Sequence, residues 1–439
     1  MHGTLTVVRT DPPPAIGAVK PFTGSRRPAD RESAHSRPGT RSRLRPAGRS
    51  RPAFHHGPGC RRRLGRIPLC HPAAASREER GTATSVVVTG LGVAAPNGLG
   101  ADGFWAATRT GTNGIGRITG FDPSPYPVTL AGQVPGFAAE GRPPSRVLPS
   151  RLLAQSGWMP RITLVAAGWA LADAGVDPEE LGALDLGGLD AGGAALCAAS
   201  GLDAVAQARR RIREGAGLVV SGAVDASLSP WGWGVQLVSG RLSGSAEPTR
   251  AYLPFDAEAA GHVPGEGGAI LILESAAAAR ARGARVYGEI SGYGAVSDPR
   301  PGSGREPGLR RAIELALADA GAVPGDVDVV FADAAAIPEL DRIEAEAITA
   351  VFGPCGVAVT APKTMTGRLC SGAAPLDLAA ALLAIEEGLI PPTVNVRLSD
   401  AYQLDLIGPR PRTAEVRTAL VLARGHGGFN SAVVVRAVD

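Results

Sequence analysis

Apolar positions along the chain fall into short uninterrupted runs, separated by alanine-rich stretches whose hydrophobic residues recur at helical spacing. The run SVVVTG from Ser85 reads as a buried strand, and the GLGVAAPNG that overlaps its end as a glycine-rich turn. Helical patterns follow in GFWAATRTG and in PRITLVAAGWALADAG, the latter ending on Gly175 as a C′ glycine would. GLDAVAQARRRIREG reads as a helix, and LVVSGAVDAS and AILILES as strands. A second set opens with the strand ARVYGEISGYGAV and passes through the helix GLRRAIELALADAG. It continues with VDVVFADA, GVAVTAPKT and a helix in DLAAALLAIEEG, and closes on the strands TALVLARG and SAVVVRAVD. The two sets echo each other: each has an early strand, an alanine-rich helix ending ADAG (residues 172–175 and 318–321) and a final hairpin-like strand pair. Strands alternating with helices predict α/β layers with a buried sheet in each half, and the echo predicts an internal duplication.

Residues 1–82 break this pattern. They are rich in Arg, Pro, Ser and Gly, as in RRPADRESAHSRPGTRSRLRPAGRSRP, without apolar periodicity. Such a segment is predicted to be disordered and removable without loss of folding. It holds 17 Lys/Arg against 5 Asp/Glu, which leaves 28 against 36 for residues 83–439, so the formal charge of +4 hides an acidic body. A basic arm could meet nucleic acid, but it has no aromatic interleaving and no folded reader behind it, so no nucleic-acid partner is expected. Its blander reading is an extension foreign to the folded body.

The remaining composition narrows the chemistry. Cys60, Cys70, Cys197, Cys355 and Cys370 form no CxxC and no Cys/His cluster, so free thiols in a reducing cytoplasm are expected, with no metal site. No window approaches a membrane span, and the N-terminus lacks the apolar core of a signal peptide. Only His262 and His426 remain in the body for acid–base work. Gly90-x-Gly92-x-x-Ala95 partly matches a dinucleotide fingerprint, but Pro96 falls where the phosphate-binding helix should continue. No GxxxxGK[ST] loop and no GxSxG elbow occurs, and no cofactor is expected.

Four ordered stretches, TSVVVTGLGVAAPNGLG, SGLDAVAQARRRIREG, YLPFDAEAAGHVPGEGGAILILE and ARGHGGFNSAVVV, resemble the β-ketoacyl synthase family, in wording nearest the chain-length-factor (ketosynthase beta) subunits of bacterial aromatic polyketide synthases. The resemblance implies a thiolase-like duplicated α/β fold in five layers. Its N-terminal half would span residues 83–283, truncated before residue 198, and its C-terminal half residues 284–439, behind a disordered extension over residues 1–82.

A catalytic member carries a Cys in C-x-S-G-L-D, at an elbow where a helix N-terminus lowers the thiol pKa and its amides hold an oxyanion. Anchored on Gly201-Leu202-Asp203, that position is Ala198, and Cys197 sits one residue early. Chain-length factors usually carry Gln there, so Ala198 departs from both patterns. The family's two histidines, in H-G-x-G-T and K-x-x-x-G-H, fall on Asp333 and Arg368, while Lys363 survives. An anion cannot hold an enolate, and a guanidinium does not give up its proton. Lys363 reads either as an electrostatic organiser of the site or as a structural residue. The gate loop G-F-G-G-F reads Gly425-His426-Gly427-Gly428-Phe429. Arg209, Arg210, Arg211 and Arg213 at one helix end read either as a solvated cap of the helix dipole or as a docking patch for the acidic carrier protein.

The expectation is a non-catalytic chain-length factor that pairs with a ketosynthase alpha subunit, shapes the polyketide tunnel, and works with an acyl carrier protein bearing phosphopantetheine-bound acyl and malonyl groups. Two rivals stay open: an active condensing acyltransferase using Cys197, and a degraded reading frame without function. The second draws on the interval Gly188–Leu196, too short for the turn, helix and strand that the family places before its elbow.

Overall fold

The structure, a computed structural model, describes residues 3–8, 84–136, 157–177, 200–300 and 302–438. The first half contains β1 (Gly3–Val8), β2 (Val86–Ala95), α1 (Gly100–Arg109), α2 (Trp158–Asp173), α3 (Ser200–Arg213), β3 (Leu218–Asp225), α4 (Pro230–Val238), β4 (Gly267–Ser275) and α5 (Ala276–Ala281). The second contains β5 (Gly288–Ser297), α6 (Leu309–Ala320), β6 (Val329–Phe331), α7 (Pro338–Phe352), β7 (Ala358–Thr360), α8 (Ala373–Glu387), β8 (Asp405–Leu406), β9 (Thr418–Arg424) and β10 (Phe429–Arg436).

The main strands lie in the order β1-β3-β4-β2-β5-β10-β9-β6-β7-β8, the two halves meeting where Val87 and Val88 of β2 pair with Glu289 and Gly288 of β5. The duplication is visible in the pairing. β2-β4-β3 and β5-β10-β9 are equivalent antiparallel triplets, each with an alanine-rich helix, α2 or α6, packed on its opening strand. Alternate residues along the central strands serve different layers. Leu271 and Leu273 of β4 face a central core shared with α3 and α8, whereas Ile270 and Ile272 face α2. In β9, Val421 faces the same central core, and Leu420 and Leu422 pack with α6 and α7. The result is five layers, helix-sheet-helix-sheet-helix, as the resemblance implied. α8 is buried on nearly every side, from Ala374 to Ala384, as a helix between two sheets must be.

The turn expected in GLGVAAPNG is confined to Pro96 and Asn97, where the chain folds back so that Gly98 and Leu99 pair with Ala95 and Ala94; the glycines before it belong to a strand. Strand β2 runs straight through Gly90 and Gly92 to Ala95. A Cβ at Gly90 or Gly92 would lie 2.2 Å from the Ala170 carbonyl oxygen or 1.8 Å from that of Ala166, so the glycines let α2 lie against the strand. Gly292 and Gly294 of β5 do the same for α6, at 2.2 Å from Ala316 O and 2.3 Å from Ala312 O. The partial dinucleotide motif is thus a packing device repeated in both halves. Gly175 (φ +65°) and Gly321 (φ +62°) close α2 and α6 in the left-handed conformation, as the ADAG endings predict.

The exception to the expected N-terminal disorder is β1. Gly3–Val8 pairs antiparallel with β3 from Gly3↔Val224 to Val8↔Val219, and forms the sheet edge. TLTVV is rich in β-branched residues, a local preference outweighed in the sequence reading by the Arg/Pro-rich stretch that follows. The rest of that extension lies outside the described residues.

Candidate functional site

A cleft of about 1350 Å³ opens where the α3 N-terminus meets the loops after β6, before α8 and between β9 and β10. Gly201 lines it from the first turn of α3, packed so closely on the loop before α8 that a Cβ would sit 2.5 Å from Ser371 O. Ala198 and Cys197, the two elbow candidates, lie outside the described residues.

On the cleft wall, Asp333 and Arg368 are tied to each other. Arg368 Nη2 donates to both Asp333 carboxylate oxygens at 2.8 and 3.0 Å, and Nη1 to the Asp333 carbonyl at 3.0 Å. Arg368 Nη2 also donates to Arg424 O at 2.9 Å, and the Arg424 amide returns a bond to Asp333 Oδ1 at 2.9 Å. Behind them, Glu344 accepts from the Asp333 and Ala334 amides at 2.6 and 2.8 Å. Burial alone would raise the Asp333 carboxyl, but the charges of Arg368 and Lys363 and the Arg424 amide outweigh it and hold the carboxyl below its usual range. Burial works against the Arg368 cation too, and Asp333 reverses this and raises its pKa. The two side chains expected at the family's histidine positions therefore form a closed ion pair, with no proton to exchange near neutral pH.

The loop after β6, aligned in the sequence analysis with H-G-x-G-T, has two non-glycine residues in left-handed backbone. Ala334 and Ala336 adopt φ of +48° and +55°, the left-handed region, at the places where H-G-x-G-T carries Gly. Tyr252 Oη donates to Ala334 O at 2.9 Å and Glu344 holds the Ala334 amide, so packing enforces a conformation that the residue type disfavours.

Lys363 is buried. Its Nζ lies 2.6 Å from Asp377 Oδ2 of α8 and donates to the Ala332 carbonyl, which fastens the loop after β7 to β6 and α8. His262 is buried on the cleft wall, where burial and the Arg368 charge push its pKa down to about 3 and keep the ring neutral. In the gate loop, Gly427 (φ +80°) and Gly428 (φ +81°) turn the chain. His426 is exposed, 3.5 Å from Arg241 Nη1, and Phe429 is half-buried at the start of β10.

The arginine cluster divides. Arg209 is interior: it donates to Asp319 Oδ2 at 2.5 Å and to Ser291 O at 2.6 Å, tying α3 to β5 and α6. This corrects its place among the docking candidates, because a buried guanidinium cannot meet a partner. Arg210, Arg211 and Arg213 are exposed, the first two close to Glu214.

Two features escaped the sequence reading. The sequence pattern gives no helix over α7, because its buried face carries Asp341 and Glu344 among its alanines and Ile348, which breaks the apolar period. The pattern gives no helix over α4 either, and its Trp231 (79% exposed), Val235 and Val238 (87%) form an exposed apolar ridge at the cleft mouth. Its start signal was legible: Ser229 caps it, accepting from the Gly232 amide at 3.2 Å, with Pro230 at the first position. Among the described residues no group of acidic, Cys or His side chains could hold a metal ion, and no helix is long and apolar enough to cross a membrane.

The family model "Beta-ketoacyl synthase, N-terminal domain" matches residues 83–195 and 182–279, and "Beta-ketoacyl synthase, C-terminal domain" matches residues 287–397. The chain is 49% identical to the actinorhodin polyketide putative beta-ketoacyl synthase 2 of Streptomyces coelicolor, over 80% of this chain and 98% of that protein. It is 47% identical to the tetracenomycin polyketide synthase ketoacyl synthase beta subunit of Streptomyces glaucescens, over 80% and 98%. Among solved structures, the ishigamide ketosynthase/chain length factor superposes with a TM-score of 0.70 at 27% identity, covering 81% of this chain and all of that one. The actinorhodin alignment runs over 405 positions but takes in only 80% of these 439 residues, so about fifty positions of the relative have no residue here. The two overlapping N-terminal matches, meeting at residues 182–195, place the loss before the elbow. The chain belongs to the β-ketoacyl synthase family and stands beside its ketosynthase beta, or chain-length-factor, members, with a segment missing from its first half.

Proposed function

We propose that this chain is the non-catalytic chain-length-factor partner of a ketosynthase alpha subunit in the cytoplasmic synthesis of an aromatic polyketide on an acyl carrier protein. The observation that carries this reading is the Asp333–Arg368 pair: both positions where a condensing enzyme keeps histidines are locked into one buried ion pair. The partner would supply the thiol and the histidines. This chain would supply cleft wall, with His426 and Phe429 at the gate, and the two halves divide near residue 283. The exposed ridge of α4 is apolar surface of the kind a second subunit covers. Arg210, Arg211 and Arg213 remain the docking candidates for the acidic carrier protein.

The absent fifty or so positions favour a second reading, a shortened chain with impaired assembly. The family places there tunnel-lining residues and a strand that pairs across the dimer. We expect the chain as written to associate weakly with a ketosynthase alpha subunit, and a graft of the full family segment between Leu186 and Ala198 to restore a stoichiometric complex. Co-purification with and without the graft tests this. A stable one-to-one complex of the ungrafted chain would rule out impaired assembly, and no complex in either form would remove the partner-subunit reading.

A further inference from the structure

We infer that residues 3–8 act as a donor strand that closes the outer edge of β3, the edge that the duplicate half covers with a strand lying between α6 and α8. The duplication shows what is missing. In the second half, the outer side of β9 is covered by β6 in parallel (Ala419↔Val329 to Val421↔Phe331), and β6 by β7, both lying in sequence between α6 and α8. β3 is the counterpart of β9, so the same architecture calls for strands from the interval between α2 and α3. That interval holds Ala174–Ala199, about half the length of its counterpart between α6 and α8. Without a neighbour, β3 would present a row of unpaired amides and carbonyls beside an otherwise buried strand.

β1 occupies that edge over six consecutive residue pairs, but antiparallel, where the duplicate half has a parallel neighbour. The reversed direction marks it as a substitute drawn from elsewhere in the chain. Addition of an extended segment to a free sheet edge is a general mode of recognition, set by main-chain hydrogen bonds and tolerant of direction. The tether of residues 9–83 costs little more than a shorter one, because loop-closure entropy grows only with the logarithm of length. The N-terminal segment is then not dispensable, contrary to what its composition predicts: its first strand protects the outer edge of β3.

Cysteine pairs in the full chain test the register. Neighbouring cross-strand pairs alternate between wide and narrow Cα separations, so one of Thr6→Cys/Ser221→Cys and Val7→Cys/Val220→Cys brings its thiols within disulfide range. Peptide mapping after mild oxidation is expected to find that cross-link well above an off-register control, Val7→Cys/Val224→Cys. No cross-link in either pair, or equal yield in the control, overturns the inference. Hydrogen–deuterium exchange supplies a second readout. N–H groups of adjacent strand residues point to opposite sides, so one of Thr6→Pro and Val7→Pro removes a ladder bond. That variant should speed exchange over residues 218–225 at least tenfold, and a synthetic peptide of residues 1–10 should restore protection to a chain lacking them. Unchanged exchange in both proline variants contradicts the donor strand. If the truncated chain does not fold, the proline and cross-linking results decide. Neither readout needs a ketosynthase partner, so their failure leaves the proposed function standing.

Discussion

At the scale of single residues, the cleft wall is defined by charged groups tied to one another. Arg368 and Asp333 compensate each other, and removal of either leaves an unpaired charge inside the protein. Arg368→Ala or Asp333→Ala should each cost about 3–5 kcal/mol of stability, read from urea melts, and the double variant should cost less than the sum. Asp341 gives a second prediction. Burial pushes its carboxyl up to about 7, against the pull of the Phe255 and Ala336 amides, with the Glu344 charge adding to the rise. The unfolded group ionises near 3.8, so between that pH and about 7 the folded chain holds a proton that the unfolded chain has released. Stability from this group is present at low pH and is lost as pH rises through that window. Asp341→Asn should gain on the parent by a few kcal/mol from about pH 4 to about pH 7.5, rising by about 1.4 kcal/mol for each tenfold fall in proton concentration across the window. A pH-independent difference between the two chains would refute this. The alignment of residues 333 and 368 with the family's two histidines is a reading of the sequence alone, made from the surrounding motifs. Their mutual pairing was not legible there, since residues 333 and 368 meet only through the fold.

At the scale of elements, legibility followed the cleanness of the hydrophobic period. Helices α2, α6 and α8 and the long strands β2–β5, β9 and β10 carry apolar runs or stripes and were readable. Helix α7 was hidden by carboxylates that its core face accommodates only because backbone amides and Arg424 surround them. The glycines of β2 were readable as special, yet their purpose needs α2 in place. Gly92→Ala sets a Cβ 1.8 Å from a helix carbonyl. It should cost about 1–3 kcal/mol or more as α2 is pushed off the sheet. Gly103→Ala in α1, where nothing lies within 4 Å of the new Cβ, should be neutral or stabilising by up to about 1 kcal/mol. A thermal melt of the two variants beside the parent measures both effects. Equal shifts would mean that the β2–α2 approach is not set by the glycines.

At the scale of the whole molecule, two related halves enclose a cleft walled by the Asp333–Arg368 pair, and one half lacks a segment that the other keeps. The duplication was legible because both ADAG endings and both strand pairs repeat. The strand that caps the shortened half was not, because its partner β3 lies more than two hundred residues away in sequence. The central claim is that this chain contributes shape and contacts and no chemistry of its own. Mass spectrometry of the isolated intact chain after incubation with acyl and malonyl carrier protein tests it most directly. The account predicts no acyl adduct and no decarboxylation of the malonyl group, because on the proposed reading Ala198, Asp333 and Arg368 stand where a thiol and two histidines are required. A stable thioester on Cys197, or release of carbon dioxide above the carrier-only control, would contradict it.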